Sequence, residues 1–343
     1  MRTVRVNASK AYDVIIGTGL LEGIGKYIKK PRKVAVIADT NTGRLYGSRV
    51  IKSLTDCGLE AGKFEFQAGE RNKNLSTYGR ILDYLALSKL DRTDAVLALG
   101  GGVTGDMAGF AAATYMRGTG YIQVPTSLLA AVDSSVGGKT AVDLEAGKNL
   151  AGAFYQPDIV ICDIETLDTL PEREKRSGMG EVIKYGMLAE AGLLDQVPQT
   201  SDRESMERLI ETCVSIKRDI VQQDEFESGC RKLLNFGHTI GHAVEKVSGY
   251  SLLHGEAVAI GMVSMTKAAL RMGLCSEETL EILTKTVSCA GLPVSAEYDK
   301  DALFDAIKSD KKAAGDGIDI VLPEGIGKCR IQRISFSDMY ELL

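Results

Sequence analysis

The 343-residue sequence predicts an α/β N-terminal domain with a mostly parallel sheet, followed by a mainly α-helical C-terminal domain. Three observations carry that expectation. Short β-branched runs alternate with helical stretches as far as about Asp163, helix-period segments take over from about Pro171, and a glycine-rich turn joins a strand to a helix near residue 100.

The expected strands are TVRV and YDVII near the start, KVAVIA at 33 to 38, KFEF, AVLAL at 95 to 99, YIQV, and DIVIC at 158 to 162. Strands alternating with helical patterns read as βαβ units, which build parallel sheets. Helix-period segments follow at 171 to 189, 203 to 221, 231 to 248, 255 to 272 and 277 to 290, and a late pair, GIDIVL and KCRIQRI, reads as a hairpin. The change of period places the boundary between Asp163 and Pro171, giving a first domain of residues 1–165 and a second of 166–343.

In DAVLALGGGVTGDMAGF, Gly100, Gly102 and Gly105 satisfy G-x-G-x-x-G in a strand–loop–helix setting. Glycines let backbone amides approach a pyrophosphate and the helix N-terminus favours its charge, although the same residues also suit a plain tight turn. No acid stands near residue 125, where a dinucleotide fingerprint expects one, so Asp39 at the end of KVAVIA is the better candidate for the ribose hydroxyls. The first domain therefore reads as a Rossmann-like variant.

The three histidines of the chain, His238, His242 and His254, all fall between positions 238 and 254. His238 and His242 are four apart and share a helical face, and glycines at 237, 241 and 255 flank the set. A lone histidine is usually structural, but this clustering favours a metal or catalytic site. Glu181 in GMGEVIKYG is the candidate third ligand, and three N/O donors with an open position suit a catalytic zinc. Lys139 and Lys148 sit among Gly, Ser and Ala, where a cation needs a counter-anion. Arg117, Lys184, Lys217, Arg231, Asn235 and the pair Lys311/Lys312 acquire meaning only if they converge.

Composition narrows the function classes. Hydrophobic residues make up 44% and charged residues 25%, the profile of a soluble globular chain. With 41 basic against 46 acidic residues and no basic stripe, nucleic acid is a poor partner. Seven scattered cysteines without Cys-x-x-Cys spacing suggest a reducing, cytoplasmic setting, and neither an export leader nor a membrane span is expected.

GGGVTGDMAGFAAATYMRG, VPTSLLAAVDSSVGGKTAVD, GKNLAGAFYQP, TLPERE, GMGEVIKYG, RKLLNFGHTIGHAVE and LHGEAVAIGM together resemble, in order, the motifs of 3-dehydroquinate synthases, and the DKK near the C-terminus fits too. The resemblance implies a homodimer using NAD and a divalent metal, zinc or cobalt. It implies conversion of a sugar-acid phosphate, 3-deoxy-D-arabino-heptulosonate 7-phosphate, to 3-dehydroquinate and phosphate by transient oxidation, elimination, reduction, ring opening and aldol closure. By matching positions it assigns Glu181, His238 and His254 to the metal. It assigns Asp39, Glu70, Lys73, Gly101, Gly102, Val103, Asp106, Thr126, Ser127, Asp133, Lys139, Lys148, Thr166 and Thr169 to the cofactor; at Ser127 many relatives carry Thr. Substrate would meet Asp133, Lys139, Lys148, Asn149, Lys184, Lys217, Arg231, Asn235, one of Lys311 or Lys312 and, from the other subunit, Arg117. His242, Lys139, Lys184, Asn235 and Arg231 would be catalytic. Competing readings are another sugar-phosphate cyclase, a metal-dependent polyol dehydrogenase that would release NADH, and an inactive ligand sensor.

Overall fold

A computed structural model of the chain describes residues 1–28, 31–197, 202–308, 313, 314 and 316–343. It divides into two compact units, Met1–Leu170 with Arg203–Glu225, and Pro171–Asp202 with Phe226–Leu343.

The first unit begins with an antiparallel pair, β1 (Arg2–Asn7) and β2 (Ala11–Gly17). Then come β3 (Lys33–Asp39), α1 (Thr40–Asp56), β4 (Glu60–Phe66), α2 (Leu75–Leu87), β5 (Ala95–Gly100), α3 (Gly102–Thr114), β6 (Gly120–Pro125), β7 (Lys139–Leu144), β8 (Gly147–Phe154) and β9 (Ile159–Asp163). The main sheet has the order β1-β2-β9-β6-β5-β3-β4 and is parallel from β2 to β4. Its central strands are buried on both faces, which is why they read as unbroken aliphatic runs. Val34 and Val36 pack with Val50 and Leu54 of α1, while Ala35 and Ile37 pack with Ile81 of α2 and Met107 of α3. Helices therefore cover both sides. From β3 the chain moves to β4 on one side and then returns to β5 on the other. The C-terminal ends of β3 and β5, carrying Asp39 and Gly100, thus flank the point where strand order reverses, the usual ligand crevice of an open α/β sheet.

Two features of the first unit depart from the sequence expectation. The Gly- and Ala-rich lysine segments form an antiparallel hairpin, β7 with β8, although their composition disfavours strands. Pairing overrides propensity here: a Cβ on Gly152 would overlap the Thr140 carbonyl, so only glycine permits the approach of the two chains. The second departure follows α4 (Glu172–Leu188) and α5 (Gly192–Gln196). The expected second domain of 166–343 needs correction at its beginning and at α6 (Arg203–Gln223), which belongs to the first unit. There Glu211 pairs with Arg2 at 2.5 Å, and Lys217 donates to the Asp133 carbonyl at 2.7 Å. Helical period forecasts the helix and not its neighbours.

The second unit contains α4, α5, α7 (His238–Val247), α8 (His254–Arg271), α9 (Glu277–Cys289), α10 (Lys300–Lys308) and α11 (Phe336–Leu342). Its small antiparallel sheet joins β10 (Ala313–Ala314), β11 (Gly317–Gly325) and β12 (Lys328–Ser335), the last two forming the expected hairpin. The helix expected over 231 to 248 is broken: a 3₁₀ turn covers Cys230–Asn235, Gly237 takes a left-handed φ of 78°, and α7 starts at His238. Glycines let α4, α7 and α8 meet backbone to backbone. A Cβ on Gly180 would lie 2.7 Å from the Gly255 carbonyl oxygen, one on Gly255 would overlap that of Ser177, and one on Gly261 that of Gly237.

Candidate functional site

Helix starts place the histidines. His238 is the first residue of α7 and His254 the first of α8, while Glu181 lies midway along α4, beside Gly180. The close glycine contacts bring these three points together: donor atoms of Glu181, His238 and His254 lie within 4.8 Å of one another. His238 Nε2 is 3.5 Å and His254 Nε2 3.2 Å from Glu181 Oε1. The far nitrogens are held outward, His238 Nδ1 at 3.0 Å from the Phe236 carbonyl and His254 Nδ1 at 3.2 Å from Glu245 Oε2. Each imidazole that donates from Nδ1 keeps its Nε2 lone pair for an ion.

Charge surrounds Glu181. Both carboxylate oxygens are buried without a well-aligned hydrogen-bond donor; Oε1 faces the imidazoles and Oε2 meets Lys184 Nζ, itself buried. Burial alone would push this carboxyl up, but Lys184 and the histidines outweigh it and hold Glu181 well below the usual carboxylate range. Burial lowers His238. Burial would lower His254, but the Glu181 and Glu245 carboxylates against its two ring nitrogens outweigh it and raise it to about 10. A buried anion beside two inward-facing imidazole nitrogens is a donor set suited to a divalent metal. His242 lies on the same face of α7, its ring 5.4 Å from that of His238 and 5.9 Å from that of His254.

In the first unit the glycine turn sits at the N-terminus of α3. Gly101 caps the helix and accepts from Gly105 N–H at 3.0 Å, so the preceding amides of Gly102, Val103 and Thr104 have no acceptor within the helix. Gly101 and Gly102 stand against Ser127 and Ser134, each 3.2 Å from where a Cβ would project. The amides at this helix start suit a dinucleotide phosphate. Asp39 Oδ1 caps α1 through Asn41 and Thr42 amides at 2.8 and 3.0 Å, and Oδ2 receives the Thr104 hydroxyl at 3.5 Å. Its first task is therefore structural. Lys73 Nζ, almost buried, donates to Asp106 Oδ2 and Asn149 Oδ1, both at 2.5 Å, and Lys148 pairs with Glu70 at 3.4 Å. Burial pushes the Asp106 carboxyl up, and Lys73 counters it.

Lys217 pairs with Asp133, and Thr126 is buried beside half-buried Ser127. Thr166 donates to the Asp163 carbonyl at 2.7 Å, and the Thr169 hydroxyl meets that of Tyr46 on α1. Lys139 and Arg117 are exposed, Arg117 with a left-handed φ of 67°. Arg231 is buried and Asn235 donates to Glu227 at 2.8 Å. Lys311 and Lys312 lie outside the described residues. Sequence reasoning missed Glu245, which shares a face with His238 and His242 at i, i+4 and i+7, a spacing that was readable.

The 3-dehydroquinate synthase N-terminal family matches residues 63–177, and the 3-dehydroquinate synthase C-terminal family matches 178–313. This chain belongs to the 3-dehydroquinate synthase family. The 3-dehydroquinate synthase of Streptococcus thermophilus is 45% identical over 342 residues, 97% of this chain and 96% of that protein. That of Desulforamulus reducens is 43% identical over 354 aligned positions, 99% and 98% of the two chains. Among solved structures, 2-deoxy-scyllo-inosose synthase with carbaglucose-6-phosphate, NAD+ and Co2+ superposes with a TM-score of 0.91 at 28% identity, covering 99% of each chain. The 2-epi-5-epi-valiolone synthase of Streptomyces hygroscopicus, with NAD+ and Zn2+, gives 0.89 at 27%, covering 99% of this chain and 98% of its own. An iron-containing alcohol dehydrogenase from Thermococcus thioreducens, at 15% identity and a TM-score of 0.70 over 88% of this chain and 92% of its own, shares the fold alone. The dehydroquinate synthase family is a family of enzymes, and its membership removes the inactive-sensor reading.

Proposed function

We propose that this chain converts 3-deoxy-D-arabino-heptulosonate 7-phosphate to 3-dehydroquinate and phosphate, a step of the shikimate route to aromatic amino acids. The carrying observation is the cluster of Glu181, His238 and His254, whose donor atoms face one another while the outer ring nitrogens are held elsewhere. These residues would hold a divalent ion, with zinc the favoured metal and cobalt its substitute. The glycine turn, with Asp39, Glu70, Lys73, Val103, Asp106, Thr126, Ser127, Thr166 and Thr169, would hold NAD. When bound, the ion supplies Lewis acidity to substrate hydroxyls, and NAD supplies a hydride acceptor that is regenerated within the cycle.

The chain's own groups do the rest. Lys184 neutralises the outer oxygen of Glu181 and leaves Oε1 for the ion. Lys139, Lys148, Asn149, Lys184, Lys217 with Asp133, Arg231, Asn235, one of Lys311 or Lys312, and Arg117 are assigned to the substrate, whose phosphate and carboxylate suit lysine and arginine donors. Charge-assisted contacts of this kind orient a flexible molecule through several steps. His242, beside the two metal-facing rings, is placed to hold or pass a proton at a ring nitrogen during elimination and ring closure. A homodimer and a cytoplasmic location complete the proposal; no helix among the described residues is long and apolar enough to cross a membrane.

Phosphate release from the heptulosonate phosphate, with and without chelator, tests this reading. Release that stops on chelation and returns with zinc, without accumulation of NADH, is expected. Steady NADH accumulation would favour a dehydrogenase, and a cyclitol product by NMR would favour another sugar-phosphate cyclase. Identity of 45% to a dehydroquinate synthase against 28% to an inosose synthase supports the first outcome.

A further inference from the structure

We propose that Glu245 is a positioning residue for His254, fixing the ring so that Nε2 is aimed at the metal position. This inference rests on the metal reading of Glu181, His238 and His254. Glu245 lies on α7, on the face that carries His238 and His242, and reaches the first residue of α8. It is 4% exposed. Its Oε2 is 3.2 Å from His254 Nδ1, while Nε2 of the same ring is 3.2 Å from Glu181 Oε1. A buried carboxylate is costly unless its charge is used. Accepting the Nδ1–H selects one tautomer, turns the ring, and makes Nε2 the more basic donor.

The two imidazoles differ in who orients them. His238 Nδ1 is held by the Phe236 main-chain carbonyl at 3.0 Å, which survives any side-chain replacement at that position. His254 depends on a side chain and can therefore be released by mutation. The donor atoms of His242, Glu245 and His254 also lie within 4.8 Å of one another, so direct ligation by Glu245 is the competing geometry. Occupation of both sets would require His254 to bind through both ring nitrogens, which a neutral imidazole does not do.

The test uses the full chain, titrated with zinc against a chromogenic chelator, with Glu181→Ala as control and 15N spectra of the zinc-loaded imidazoles. Glu245→Ala should weaken zinc binding by about 10–100-fold, as loss of an outer-shell partner does. Glu245→Gln keeps shape and a neutral acceptor like that of His238, so its loss should be smaller, under about tenfold. It also decides the matter if the alanine variant fails to fold. In the wild type, His254 should carry its proton on Nδ1. Wild-type zinc affinity in both Glu245 variants, with affinity lost in Glu181→Ala, overturns this role alone. Zinc on Nδ1 of His254 rather than Nε2 in the 15N spectra overturns it in favour of ligation by Glu245. Equal affinities of wild type and Glu181→Ala would overturn the metal reading and this inference with it.

Discussion

Glycines cluster in both candidate regions of the molecule, and they do different work in each. Around the histidines, Gly180, Gly255 and Gly261 face main-chain carbonyls, so an added Cβ would push helices apart. Around the glycine turn, Gly101 and Gly102 face serine hydroxyls at 3.2 Å, and Gly101 has an ordinary φ of −77°. The fold can accept a side chain at Gly101. The first set is needed to build the site, whereas the second meets only the ends of serine side chains, which can turn aside. Glycine-rich sequence alone does not separate these roles.

Substitutions can break or sharpen that contrast. The largest effect should come from Glu181→Ala: phosphate release falls to background and metal content is lost together, measured by enzymatic assay and elemental analysis. Next, Gly255→Ala should destabilise the chain by about 2–4 kcal/mol, read from denaturant unfolding, because the Ser177 carbonyl cannot yield without moving α4 or α8. Gly101→Ala should change stability by no more than about 0.5 kcal/mol while weakening NAD binding about tenfold, read by fluorescence titration. Equal destabilisation by the two glycine substitutions would erase the distinction.

Protons provide a further contrast. In the ion-free chain His254 is held between two carboxylates with its pKa raised to about 10, so it carries a proton at neutral pH. Zinc must displace that proton, and calorimetry in buffers of different ionisation enthalpy should show its release, with affinity rising as pH rises from about 6 to 8. The same shift makes ion-free stability fullest below the ordinary histidine pKa of 6.5, and it should decline as pH rises toward about 10.

Much of this architecture is legible in the chain. The strands from β1 to β6 and β9 follow from β-branched runs, and α4, α8 and α9 from helical period. Resemblance to a family supplied the candidate ligand set that spacing only suggested. The β7–β8 hairpin was not legible, because glycine, alanine and lysine carry no strand signal until two segments pair. Nor was the place of α6, whose charged face found partners more than 80 residues away, as Lys217 did at Asp133. Glu245 shows the intermediate case: its helical face was readable, but its partner His254 sits on another helix.

By itself the sequence determined that an anion-friendly glycine turn would open one helix and that two histidines would share a face of another, since both follow from local geometry. Only the tertiary structure decided that helix starts from α7 and α8 meet the middle of α4, and which ring nitrogen points inward. That decision belongs to packing, because backbones can approach closely enough only where several glycines from separate segments coincide.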